Sequence, residues 1–255
     1  MILTALAFGV LVGGLLGLVG GGGSIIAVPA LVYGVGMPLS AAIPTSLVVV
    51  GASSTAAVLP RLQRYVDWKL ALIIGAVGGT TAFAGTAVNA MLDQQLLLSV
   101  FAAIMVLAGV WMLRPISSAA TGHRAADGTI HWPRYLLKGI GTGIVVGFLT
   151  GLLGVGGGFL IVPALVLILG LPMSMAVGTS LVIVVINSVG GFISHLGQLN
   201  MDWALTGAFA GAAMIASYVG GRIGRSLSEV ALKRGFAVLV FGVAAYVVIR
   251  VLLDL

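Results

Sequence analysis

The stretch from Val12 to Leu47, VGGLLGLVGGGGSIIAVPALVYGVGMPLSAAIPTSL, decides how this chain is read. It returns 134 residues later, from Val146 to Leu181, as VGFLTGLLGVGGGFLIVPALVLILGLPMSMAVGTSL. The two align without a gap, and twenty of the thirty-six pairs are identical. The residues kept are chiefly Gly, Pro, Thr and Ser, which shape backbone or offer small polar groups, rather than exchangeable aliphatics. A duplicated apolar half with a glycine-rich break is the pattern expected of a membrane transporter built from two repeats.

Composition sets the class. Sixty per cent of the 255 residues are hydrophobic, 7% are charged, and no Asp, Glu, Lys or Arg occurs before Arg61. A helix crosses a bilayer in about 20 apolar residues. Apolar runs recur near residues 2–33, 40–60, 70–92, 95–113, 137–169, 174–196, 203–221 and 235–253. About eight hydrophobic segments follow, four to each half, in an all-α integral membrane protein of the cell (inner) membrane. No basic residue precedes the first segment, so it is expected to belong to the fold rather than to a cleaved signal. With no cysteine, disulfides and thiolate metal sites are excluded.

The net charge of +6 does not point to nucleic acid, because the basic residues sit in short loops between apolar segments. Eleven of the twelve fall in three groups: Arg61, Arg64 and Lys69; Arg114, Arg124, Arg134 and Lys138; Arg222, Arg225, Lys233 and Arg234. Eight simple crossings place these groups on both sides. If the first segment of each half breaks at its glycines and returns to the side it came from, all three groups fall on the cytoplasmic side, leaving only Arg250 outside. The positive-inside rule favours this second arrangement, in which the halves are inverted and the N-terminus is outside. A continuous helix from Lys138 to Gly170 would be about 50 Å long against a ~30 Å core, so the alternative to a break is a strongly tilted helix. The expected division is 1–113 for the N-terminal repeat, 114–137 for a cytoplasmic linker and 138–255 for the C-terminal repeat. His123 and His131 lie in that linker without further ligands to complete a metal site, so they read as solvated residues.

The glycine runs carry the candidate site. A helix that restarts after such a break points its N-terminal amides and positive dipole end at the gap, which suits an anion without a buried charged side chain. Two such ends would meet near the midplane in inverted repeats. The competing reading is that the glycines only let helices pack closely. The spacing is not that of a soluble nucleotide loop, since Ile25 and Phe159 break it. Thr45 and Ser46 recur as Thr179 and Ser180, and these hydroxyls can serve an oxyanion or bond back to their own helix. The candidate substrate-binding residues are therefore Gly21, Gly22, Gly23, Ser24, Thr45, Ser46, Gly156, Gly157, Gly158, Thr179 and Ser180. Asn187 is a further candidate, with Ser188 beside it.

His195, the counterpart of Arg61, is a candidate proton carrier or an interfacial cap. Asp67-Trp68 and Asp202-Trp203 read as helix N-caps with interfacial aromatics. No carboxylate lies deep in an apolar run, which argues against a cation pump. An intramembrane enzyme would need a denser cluster of His, Asp or Lys at one face than His195 and Asp202 provide. No catalytic residue, cofactor or metal is expected, and the partners are a small anionic substrate and the bilayer.

These motifs resemble the sulfite exporter TauE/SafE family of membrane permeases. The resemblance rests on GLVGGGGSIIAVPAL with AAIPTSL downstream, and on GLLGVGGGFLIVPALVLILGLPMSMAVGTSL followed by NSVGGFISHLGQLNMDW. It implies export of small sulfur-containing oxyanions such as sulfite or organosulfonates by alternating access. The residues alone reach only a small-anion carrier, and an anion channel or a carrier of a non-sulfur anion stays open beside it.

Overall fold

The computed structural model describes residues 2–62, 64–89, 91–92, 94–113, 132–153, 158–194 and 201–252. All the regular structure among them is helical. Helix α1 (Ile2–Val19) leads into a segment that is 3-10 from Gly20 to Ile26 and π-helical from Ala30 to Gly34. There follow α2 (Leu39–Val58), α3 (Trp68–Asn89), α4 (Gln94–Leu113), α5 (Trp132–Leu153), α6 (Gly158–Leu167), α7 (Met173–Ser194), α8 (Trp203–Ser226) and α9 (Glu229–Leu252). Seven helical stretches among the described residues are long and apolar enough to cross a membrane. Residues 114–131, most of the expected linker, lie outside the described residues, and α5 already begins at Trp132.

At the first glycine run the chain changes course. Gly20 adopts a positive φ of 81°, which costs other residues steric strain. Beyond it Gly23 lies against the backbone of Leu16 and Gly34 against the ring of Phe8, so the chain runs back alongside α1. In the second half α5 ends at Leu153 and α6 starts at Gly158, with Gly156 and Gly157 outside the described residues. The segments that follow the two glycine runs end alike. Gly36 has φ 80° and Gly170 has φ 67°, and in each case the next amide closes back on a carbonyl six residues earlier, Met37 to Leu31 and Leu171 to Leu165, both at 3.0 Å. These are left-handed glycine caps, and they fall at the sequence offset of 134.

The repeat also appears in helix packing, at an offset of 134 for the glycines and 135 for their partners. Gly9, Gly13 and Gly17 of α1 lie against Phe209, Ala213 and Ser217 of α8, while Gly143, Gly147 and Gly151 of α5 lie against Ile74, Gly78 and Ala82 of α3. Both seams bring backbone onto backbone, the use to which membrane helices put small residues four apart. Residue numbers rise together in each seam, so α1 runs parallel to α8 and α5 parallel to α3. Between α2 and α7 the numbers run oppositely: Gly51 meets Ser188 and Leu47 meets Gly191. Those two helices are antiparallel.

Asp67 and Asp202 cap α3 and α8, their Oδ1 atoms accepting from the amides of Leu70 at 3.1 Å and Leu205 at 3.0 Å. Trp68 and Trp203 stand exposed beside them, as the two dipeptides suggested. Basic groups collect at one end of the bundle. Arg225 Nη1 donates to the Pro60 carbonyl at 3.1 Å, next to Arg61. Gly139, beside Lys138, packs on Leu70, next to Lys69.

Candidate functional site

A cavity of about 450 Å³ lies between the first half of α2, the later halves of α3 and α7, the end of α5 and the returning segment at Ser24 and Val28. It opens where Thr80, Phe83, Thr86 and Gly190 are exposed. Three of the sequence candidates line it: Ser24, Ser46 and Asn187. Their placement follows from local structure. Ser46 sits two residues beyond Pro44 on α2, its hydroxyl donating to Ile43 O at 2.7 Å, and Ser24 in the 3-10 turn donates to Gly21 O at 2.7 Å. The Asn187 Oδ1 atom is buried without a hydrogen-bond partner and faces Gly79.

The other described candidates lie behind the cavity. The Gly21 amide donates to Ser180 Oγ at 3.2 Å, and Ser180 in turn donates to Val177 O at 2.8 Å. Gly158 fits against Gly21 O and Ser24 Oγ so closely that a Cβ there would collide with both. Gly22 packs on the ring of Phe236. Thr179 is turned away from the cavity and accepts from the Asp67 amide at 3.0 Å, which joins α7 to the start of α3. Thr45 is fully buried, with no partner for Oγ1, and is not part of the lining. Gly156, Gly157 and His195 lie outside the described residues.

Helix α3 supplies what the sequence reading missed. Gly75, Gly79, Ala82, Phe83 and Thr86 form one face of it toward the cavity, with Thr80 at the rim, and Thr150 adds a hydroxyl from α5. The spacing of Gly75, Gly79, Phe83 and Thr86 is a one-face helical pattern, the signal that was available. Thr80 donates to Val77 O at 2.8 Å, Thr86 to Ala82 O at 3.0 Å and Thr150 to Val146 O at 2.6 Å. A hydroxyl carries a single proton that rotates, so each can leave its helix carbonyl for a bound acceptor. Among the described residues no lining side chain is ionisable, and much of the wall is apolar, including Ile43, Leu47, Val50, Phe83 and Ile186. Rotating the Asn187 carboxamide by half a turn exchanges its bare oxygen for two donors. The described lining thus offers neutral donors and an oily wall, and none of its side chains is a carboxylate that would repel an anion.

Long apolar helices packed through glycine seams around such a cavity define a multi-pass membrane transporter. The chain belongs to the sulfite exporter TauE/SafE family, whose model matches residues 5–247. It is 35% identical to a probable membrane transporter protein of Xylella fastidiosa, over 98% of this chain and 95% of that one. It is 30% identical to the probable membrane transporter protein YunE of Bacillus subtilis, over 87% and 86% of the two chains. These names describe transporters rather than enzymes. No solved structure matches the chain.

Proposed function

We propose that this protein is a secondary transporter, acting as an exporter, of small sulfur-containing oxyanions such as sulfite or an organosulfonate, and that it works by alternating access in the cell (inner) membrane. The observation that carries the reading is the cavity itself: neutral donors at Asn187, Ser24, Ser46 and Thr150 converge on a space whose described lining has no acidic group. Its aliphatic wall suits the organic part of a sulfonate. The sulfur identity comes from the family, while the preference for an oxyanion is argued from the donors.

The architecture we infer is a pair of inverted repeats, residues 1–113 and 138–255, joined by a cytoplasmic linker, with the N-terminus outside. Supporting it are the opposite courses of α2 and α7, the paired seams α1–α8 and α5–α3, and the return of the chain after Gly20. Inverted repeats place substrate at their interface, near the midplane. The collection of Arg61, Lys69, Lys138 and Arg225 at one end supports a cytoplasmic assignment for that end. A carrier is favoured over a channel because α2 and α8 are packed together beyond the cavity, with Ser217 Oγ donating to Ser53 O at 2.7 Å and Gly221 against the Ala57 backbone.

The test is counterflow in proteoliposomes loaded with unlabelled sulfite, sulfoacetate, sulfate or chloride, with labelled sulfite outside. Transient accumulation driven by sulfite or sulfoacetate, and not by chloride, is expected. Accumulation with chloride alone, or conductance without counterflow, would remove the sulfur-anion carrier reading.

A further inference from the structure

The cavity has a counterpart within the same molecule, and that counterpart is closed. Advancing the lining residues of α2 by 134, setting those of α7 back by 134 and advancing those of α3 by 135 generates a second set of positions between α7, α2 and α8. Ser180, Leu181, Ser53, Ser54 and Ala57 of that set are buried. Where Asn187 and Ala82 face open space, their counterparts Ser53 and Ser217 are hydrogen bonded at 2.7 Å. Where Gly191 and Thr86 stand apart across the cavity, their counterparts Ala57 and Gly221 are in backbone contact.

Two polar groups in this closed region are left unsatisfied. Ser54 Oγ is buried without a partner, and so is Nη1 of Arg61, a residue only 2% exposed. Arg61 lies seven residues beyond Ser54, two turns further toward the basic end. Its guanidinium covers Gly224, where any side chain would strike Nη2. The positive charge of Arg225 stands close by, its Nη1 on the Pro60 carbonyl. A buried guanidinium with an idle donor and a like-charged neighbour is costly as packing alone. It is well suited to meet an anion once water reaches it.

We propose that the closed counterpart of the cavity is the cytoplasmic access route of the transporter, and that Arg61 is the residue that captures a small oxyanion at its mouth. The inference rests on the alternating-access reading above and adds a residue to it. In the form described, α2 and α8 are shut around Arg61. When they part, Ser53, Ser54 and Arg61 become the inner lining, in the way Asn187 and Ser188 line the outer one.

The chain has no cysteine, so Ser54→Cys introduces a single thiol. A membrane-impermeant maleimide should label it from the cytoplasmic face and not from the outer face, at a rate slowed by sulfite. In vesicles of defined orientation, Arg61→Gln should raise the KM for cytoplasmic sulfite at least tenfold, change the outer KM less than twofold, and abolish protection of the thiol by sulfite. Arg61→Lys should recover part of the effect. An inert thiol from both faces, in folded protein, would show a packed core and overturn the route. Equal shifts of both KM values, or none, would reduce Arg61 to a structural role. If the wild type carries no sulfite, yet the thiol labels from the cytoplasm and sulfoacetate, sulfate or chloride slows it only when Arg61 is present, the route and its capturing residue stand and the sulfur assignment falls.

Discussion

Asn187 holds the strongest position of any single side chain in the cavity, because its buried oxygen has no partner and its amide is the densest set of donors on the wall. Asn187→Ala should lower kcat/KM for the transported anion about tenfold, or ~1.4 kcal/mol of lost stabilisation, while leaving the protein folded. Uptake assays alongside gel filtration check this, and unchanged uptake would turn attention to the hydroxyls. The neighbouring exchange of Ser24 for Gly158 between the repeats has a steric reason. The two positions face each other, and the Ser24 hydroxyl occupies the room that a side chain at 158 would need. Thr179 shows what reading by repetition leaves out: it matches Thr45 in sequence, yet its Oγ1 accepts from the amide of Asp67, the cap of α3. That contact depends on α3 lying beside α7, which no local pattern announces.

Between elements, the two glycine seams fix how closely the halves approach. Gly13 has the Ala213 backbone directly over it, whereas Gly14, one residue on, has nothing within 4 Å of where a Cβ would stand. Gly13→Ala should therefore destabilise the protein by about 1–3 kcal/mol through overpacking. Gly14→Ala should be neutral or slightly stabilising, since alanine favours a helix. Melting of the purified protein in detergent distinguishes the two, and equal Tm values would show that the seam is loose. The helices themselves were legible: the apolar runs mark where they lie, and the Asp caps mark where α3 and α8 begin. The contribution of α3 was not. Its lining residues Gly75, Gly79, Thr80 and Phe83 correspond to Ala210, Met214, Ile215 and Tyr218 on α8, so a search for polar residues kept in both halves passes over them.

At the scale of the whole molecule, the proposed orientation has a direct test. Met91, 84% exposed between α3 and α4, lies at the far end of the bundle from Ser228, which is exposed between α8 and α9. With cysteines introduced singly, Met91→Cys should react with an impermeant reagent added outside, and Ser228→Cys only after the cytoplasmic face is opened. Reaction of both from one side would defeat the inverted arrangement. Sequence alone could state that arrangement as a count of charges per loop, but the antiparallel contact of α2 with α7 depends on tertiary packing and had to come from coordinates.

The uncharged lining of the cavity reaches into bioenergetics. The described lining of this cavity carries no charge, so a charge moving with a substrate bound there is the cargo's own. The potential then contributes about 2.3 kcal/mol per 100 mV for each charge on the cargo. With the cell interior negative, that voltage drives a monovalent or divalent anion outward, and the charge state of the cargo sets how steeply the drive grows with voltage.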